Sequence, residues 1–494
     1  MTDVSKKGGE LWLGLDLGTQ SVRALAVSDM GLVLCEGSHP VLSRRAQRQH
    51  EQDPENWWEA VTSACRAALA KVSGHAIRAL AVDATSGTIL LADSLGEALT
   101  PALMYDDTRA VEEASRIENV GATWGGLGYR MLPSWGLPKL LWLWRRRRPR
   151  IAGVRLAHQS DFINRRLAGH EVPSDSSNAL KTGYDLLRQS WPFETLDALD
   201  LPREIMPAVV SPGMQIGTVC PQAAAQTGIP PGTPIIAGMT DGCAAQIAAG
   251  ALEVGSWNSV LGTTLVVKGA SRELIRDSAG VVYSHRSPDG TWMPGGASSV
   301  GAGILTKYFA ERNLDEMSTR AAAREPAGVI AYPLVSQGER FPFAAPNARG
   351  FILGTPSDEI DLFAALLQGV GFIERLCYDY LDLLGAPSQG DIRFTGGAAR
   401  NAYWCQLRAD VLGRSVGLPE NTQPAFGMAL LAATSGRRLA DVAKEMVRIR
   451  EVIDPRPDRV FRLRETYLRL VRELSSRGWL QSSLAEHAER RAAK

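Results

Sequence analysis

Three short stretches of this 494-residue chain combine residue types that can handle a phosphorylated nucleotide. The first is Asp16-Leu17-Gly18-Thr19-Gln20-Ser21. A carboxylate followed by a Gly-Thr turn suits a hydrated magnesium ion, because Mg²⁺ keeps much of its water shell and is held through it. Gly18 lets backbone amides approach phosphate oxygens, and Thr19 can donate a hydroxyl hydrogen bond. Gly262-Thr263-Thr264 can form a second phosphate cradle of the same kind. The third stretch is Thr395-Gly396-Gly397-Ala398-Ala399-Arg400-Asn401. Its two glycines permit a flat adenine or ribose to lie against backbone, and Asn401 can reach the base. Each turn alone also reads as an ordinary hairpin or loop; their order and combination give them weight.

The elements that must position these turns follow from the apolar pattern. Residues 11–15 form a short apolar run that reads as a buried strand ending at Asp16. Residues 22–27 and 32–35 read as two more strands, so the chain opens as an antiparallel meander. Pro54 starts a helix, with Asp53 as N-cap, that runs to about Lys71. Residues 77–82 form a further apolar strand ending at Asp83. The pattern returns later: 257–261 and 265–268 are strand-like around the Gly262 turn, which hints at a duplicated architecture. Residues 391–395 read as a strand before the Gly396-Gly397 turn. Helices are expected over 301–311, 359–384, 404–412 and 426–433. The stretch 332–354, rich in Pro and Gly, is expected to be a long ordered loop.

Composition excludes several classes. Apolar residues make up 45% and charged residues 22%, so the chain can bury a core and is not disordered as a whole. Lys and Arg number 54 against 53 Asp and Glu, a net charge of +1, which argues against a nucleic-acid partner. The run Arg145-Arg146-Arg147-Arg148, with Arg150, follows an apolar helix-like stretch and reads as a solvated helix end. The six cysteines include no C-x-x-C pair and the seven histidines no H-x-x-x-H pair, so no zinc site is suggested. The N-terminus lacks a signal-peptide core, and no membrane-length apolar run exists. A cytoplasmic monomer or homodimer is expected, with no nucleic acid and no membrane as partner.

The three turns occur together with further stretches that resemble the FGGY family of carbohydrate kinases, within the actin/Hsp70-like ATPase superfamily. Residues 13–19 are similar to the family's first phosphate motif. Tyr105-Asp106-Asp107-Thr108-Arg109 is similar to its W-x-D-x-R stretch, with Tyr in place of Trp. Gly238-Met239-Thr240-Asp241-Gly242-Cys243-Ala244-Ala245 resembles the segment that carries the catalytic aspartate. Gly262-Thr263-Thr264 matches the second phosphate motif. Gly303 and Lys307 fall where the family lines its nucleotide pocket, and Gly396-Gly397 with Asn401 matches the adenosine motif. The resemblance spans roughly residues 10–470.

It implies an α/β fold of two actin-like (ribonuclease H-like) domains, each with a mixed five-stranded sheet, and an active site in the cleft between them. The N-terminal domain would cover 10–258, the C-terminal nucleotide-binding domain 259–470, and a polar tail 471–494. The implied cofactors are ATP and Mg²⁺. Asp241 would be the general base, with a helix N-cap as its other reading. Asp16 would act on the metal through water, with Asp241 as a second candidate. Thr19 and Thr263 would hold phosphates. Thr85, Ser86, Tyr105, Asp107 and Asp241 would face the sugar. Small hydroxyl residues after Asp83 resemble the plant and cyanobacterial D-ribulokinase-like group. The expected reaction is therefore phosphorylation of D-ribulose to D-ribulose 5-phosphate. D-xylulose or another small sugar or polyol is the alternative substrate, and an actin-like binding protein the non-enzyme alternative.

Overall fold

The computed structural model describes residues 9–70, 72, 76–121, 124–147 and 153–493; Arg148 and Arg150 lie outside the described residues. The chain forms two units. The first comprises Met1–Gly250, His285–Thr291 and Asn421–Val447, and the second Ala251–Ser284, Trp292–Glu420 and Arg448–Lys494. The contiguous boundary expected at 258/259 is thus displaced, because a late segment returns to the first unit.

Unit 1 contains, in chain order, β1 (Glu10–Leu17), β2 (Ser21–Ser28), β3 (Val33–Pro40), α1 (Pro54–Leu69), β4 (Ala76–Ala84), α2 (Gly136–Arg147), β5 (Gln215–Thr218), β6 (Pro234–Ile236) and α3 (Asp241–Ala248). The sheet order is β5-β6-β4-β1-β2-β3. β6, β4 and β1 run parallel, while β2, β3 and β5 are antiparallel to their neighbours. This is the expected five-stranded mixed sheet with one further edge strand. Seven of the eight residues of β1 are buried, as a strand covered on both faces requires. One covering element is α1, capped by the Asp53 carboxylate on Glu55 N and burying Trp57, Ala60, Val61, Ala64, Cys65 and Ala68 at helical spacing. Another is the helix Pro424–Ala432. It lies so close that a Cβ on Gly14 would sit 1.7 Å from Ala425 O, and one on Gly427 2.1 Å from Ala244 O. A smaller sheet holds the hairpin Arg44–Ala46/Gln49–Gln52 together with Ala102–Leu103, Ile89–Ala92 and Arg155–His158.

Unit 2 contains β7 (Trp257–Leu261), β8 (Leu265–Gly269), β9 (Tyr283–Arg286), β10 (Trp292–Ala297), α4 (Gly303–Phe309), α5 (Glu359–Leu383), β11 (Ile392–Thr395), α6 (Ala402–Leu412), β12 (Val416–Pro419), β13 (Ile449–Ile453), α7 (Pro457–Ser476) and α8 (Ser482–Ala492). Its seven strands are ordered β9-β10-β8-β7-β11-β12-β13. β7, β11 and β12 are parallel and β8, β10 and β13 antiparallel to their neighbours, the arrangement of unit 1 with one extra edge strand, β9. α5 runs through the core with twenty buried residues, its N-cap Asp358 accepting from Asp361 N. Two local expectations change. Part of the 332–354 loop pairs as strands, Ile330–Tyr332 with Phe351–Leu353. The polar tail is a packed helix, α8, with Leu484, Ala488 and Ala492 buried.

Candidate active site

In unit 1 the ends of three parallel strands bring three carboxylates together. Asp16, on the last turn of β1, stands opposite Asp83 of β4, and Ala84 bridges to Thr240 in the parallel sense. Thr240 caps α3 and Asp241 is its first residue, so the N-cap reading of Asp241 passes to its neighbour. Asp241 Oδ1 accepts from Gly242 N at 2.7 Å, and the positive end of the helix favours a carboxylate there. The carboxyl ends of parallel strands are where open α/β sheets bind ligands. Burial and the Asp241 charge push the Asp16 carboxyl up to about 6, against the partial relief of Arg23, whose guanidinium is 3.9 Å away. Burial and the charges of Asp16 and Asp241 hold Asp83 well above the usual carboxylate range.

The first phosphate turn joins β1 to β2. Gly18 is tightly placed, since a Cβ there would meet Ser21 O at 3.0 Å. Thr19 is half-buried and Gln20 exposed, with Gln20 O accepting from Val41 N and Ser21 already paired in β2. The Thr19 carbonyl is held from outside the turn: Gln52 Nε2 donates to it at 2.7 Å and to Ser43 Oγ at 2.8 Å, while Trp57 Nε1 fixes Gln52 Oε1. Nothing in the local residue pattern singles out Gln52.

The sugar-side residues divide. Tyr105 is 41% exposed, and its hydroxyl lies within reach of Thr19. Partial burial and the charges of Asp106 and Asp241 raise its phenol above the ordinary value. Ser86 keeps a buried hydroxyl without a hydrogen-bond partner. Asp107 and Thr85 are engaged by partners within the protein. Asp107 is fully buried and accepts from His50 N, Arg109 N, Nε and Nη2. Thr85 bonds Thr88 Oγ1 and Gln159 Oε1. Asp107 anchors backbone at His50 and Arg109, and Thr85 joins two side chains. Beneath the Tyr105 turn, Lys139 of α2 donates to Met104 O at 2.7 Å, and its burial lowers the amine to about 7.

Unit 2 presents its turns through backbone. Gly262 N donates to Thr264 O, while Ala302 N and Gly303 N donate to Gly262 O and Thr263 O, stapling the turn to the start of α4. Gly303 serves this contact, since a Cβ there would be 2.9 Å from Thr263 Cγ2. Lys307 is exposed and donates to Val335 O at 3.4 Å. Gly396 takes φ 84°, and a Cβ would lie 2.6 Å from Leu261 O, whereas Gly397 faces open space. Asn401 differs from its expected role: its Oδ1 caps α6 at Trp404 N and its Nδ2 donates to Ser318 Oγ, so its side chain is committed within the protein.

The family model for the N-terminal domain of the FGGY carbohydrate kinases matches residues 11–248, and that for the C-terminal domain matches 257–436. The chain belongs to the FGGY family of carbohydrate kinases. It is a sugar kinase with the two-domain, actin-like arrangement of mixed sheets. Among its relatives is a xylulose kinase of Klebsiella pneumoniae, 29% identical over 87% of this chain and 91% of that protein. The crystal structure of a xylulose kinase from Rhodospirillum rubrum superposes with a TM-score of 0.85 at 25% identity, covering 94% of this chain and 98% of that one. A Plasmodium falciparum glycerol kinase with ADP shares the fold, with a TM-score of 0.82 at 17% identity over 94% and 98% of the two chains. None of the described helices of this kinase is long and apolar enough to cross a membrane.

Proposed function

We propose that this kinase transfers the γ-phosphoryl group of ATP to the terminal hydroxyl of a ketopentose, with D-xylulose as its substrate. The observation that carries the reading is Asp241, set at the start of α3 beside the strand ends that carry Asp16 and Asp83. Asp241 accepts the proton of the attacking hydroxyl, the sugar oxygen forms a bond to the γ-phosphorus, and the bond to the ADP oxygen breaks. Thr19 and the amides of its turn hold phosphate oxygens. Thr263 and the Gly396-Gly397 turn belong to the nucleotide side. Tyr105 and the unpartnered Ser86 hydroxyl contact the sugar.

A magnesium ion fits the donors present. Asp16, Asp83 and Asp241 share a sheet edge, but among the described residues no three acidic, His or Cys side chains are close enough to chelate a metal directly. Asp16 would therefore hold a hydrated ion, which when bound neutralises charge on the β- and γ-phosphates.

D-xylulose displaces the expected D-ribulose because the curated relatives are named xylulose kinases. The D-ribulose reading rests on Ser86 and its small neighbours, and it remains the second arm of the test. The experiment is kcat/KM for ATP-dependent ADP release with D-xylulose, D-ribulose, L-ribulose, xylitol and glycerol. D-xylulose is expected to rank first. A higher value for D-ribulose would reverse the choice of epimer, and turnover confined to the polyols would overturn the ketopentose reading.

A further inference from the structure

Asp83 stands outside every motif that the sequence offered, and the structure leaves it unexplained as a packing residue. It is fully buried, no donor among the described residues reaches either carboxylate oxygen, and the side chain within hydrogen-bonding range is the Asp16 carboxyl. Other buried carboxylates of unit 1 are compensated: Asp107 by Arg109 and His50 N, and Asp175 by Asn178. A buried charge without such compensation is strongly unfavourable. Asp83 instead faces a second carboxylate, since Asp16 is its register partner across β1 and β4. The only cation that pairs with Asp16 among the described residues is Arg23, 3.9 Å away and half exposed.

The fold itself does not demand this pair. In unit 2 the corresponding register partners on β7 and β11 are Val260 and Thr395, and the Thr395 hydroxyl is satisfied by Asn258 Oδ1. An apolar residue and a bonded hydroxyl serve there. Two carboxylates at the matching place of unit 1 imply a positive ligand.

We propose that Asp83 is a second carboxylate for the divalent cation that accompanies the nucleotide. It acts beside Asp16 by accepting hydrogen bonds from the ion's coordinated waters. This rests on the ATP-dependent kinase reading above. The water-mediated mode follows from the absence, among the described residues, of three side chains close enough to chelate a metal directly, and from the reluctance of Mg²⁺ to shed water.

The test is Mn²⁺ binding to the ADP complex, followed by the loss of the free-ion electron paramagnetic resonance signal, in wild type, Asp83→Asn and Asp16→Asn. Asp83→Asn is expected to weaken Mn²⁺ binding about tenfold, as loss of one ligand-shell partner does. Its thermal midpoint in metal-free buffer should stay at or above that of wild type, because Asn removes one of two facing buried carboxyls. Weakening of less than about threefold would overturn the proposal, as would weakening accompanied by a lower metal-free midpoint, which marks a structural role. Should Asp83→Asn fail to fold, Asp83→Ser takes its place under the same criteria. Ketopentose phosphorylation by the wild type is measured in parallel. Phosphorylation with unchanged Mn²⁺ affinity in Asp83→Asn sinks only the cation assignment, whereas its absence sinks the kinase reading.

Discussion

The turns at residues 16–21 and 260–265 occupy the same place in two sheets of the same core order, yet they are built for different work. Both are Gly-Thr hairpins between the first antiparallel pair of strands. In unit 2 the surroundings are backbone and small residues: Gly303 packs on Thr263, and Gly396 on Leu261 O. In unit 1 the surroundings are charged: Asp16, Asp83 and Asp241 share one sheet edge, the Asp241 charge raises the Asp16 carboxyl, and the charges of Asp16 and Asp241 raise that of Asp83. The shared fold supplies a cradle twice. On the proposed reading, the side chains set at the strand ends would make one cradle a place for proton and cation chemistry, and the other a close-fitting surface for a nucleotide.

The comparison can be broken first on the backbone side. Gly396→Ala forces a Cβ into contact with Leu261 O at φ 84° and ψ 178°, where side-chain residues are strained by about 1–3 kcal/mol before any clash. The KM for ATP should rise tenfold or more, by about 1.4 kcal/mol per decade, while the KM for sugar stays near wild type. An unchanged KM for ATP would remove the Gly396 turn from the nucleotide surface.

A smaller effect sharpens the charged side. Lys139 supports the Tyr105 turn, and burial lowers its amine from 10.5 to about 7. The unfolded chain then binds the extra proton between those two values, so stability rises with pH across that window. Lys139→Met should abolish this increment. Urea midpoints of the two proteins at pH 7 and pH 9.5 measure it: the wild-type midpoint should rise relative to the variant. A constant difference would mean that Lys139 keeps its ordinary affinity for the proton.

Local pattern made much of the frame legible. Apolar runs that stop at a carboxylate marked β1 and β4, Asp53-Pro54 marked α1, and the repeated Gly-Thr hairpin marked the duplication. The rest is set by partners that the local pattern does not show. Asp107, Thr85 and Asn401 are residue types that bind ligands, but His50 and Arg109, Gln159 and Ser318 claim them in the folded chain. Asp83 read as a mere strand end because its neighbour Asp16 comes from a parallel pairing that sequence does not announce. The return of Asn421–Val447 to unit 1 was hidden for a similar reason: the helix Pro424–Ala432 is apolar all round, which shows that it is buried but not against which sheet. Gln52 needed the Thr19 carbonyl in view before its role could be seen.

The central claim is that the carboxylate edge of unit 1 carries the phosphoryl transfer, with Asp241 as the base. Asp241→Asn changes almost no volume and removes the proton acceptor. Single-turnover measurement with D-xylulose and ATP, alongside binding of a non-hydrolysable ATP analogue, tests it directly. The account predicts a fall in the transfer rate of about 10²-fold or more with analogue affinity nearly unchanged. A variant that transfers phosphate at the wild-type rate would contradict it.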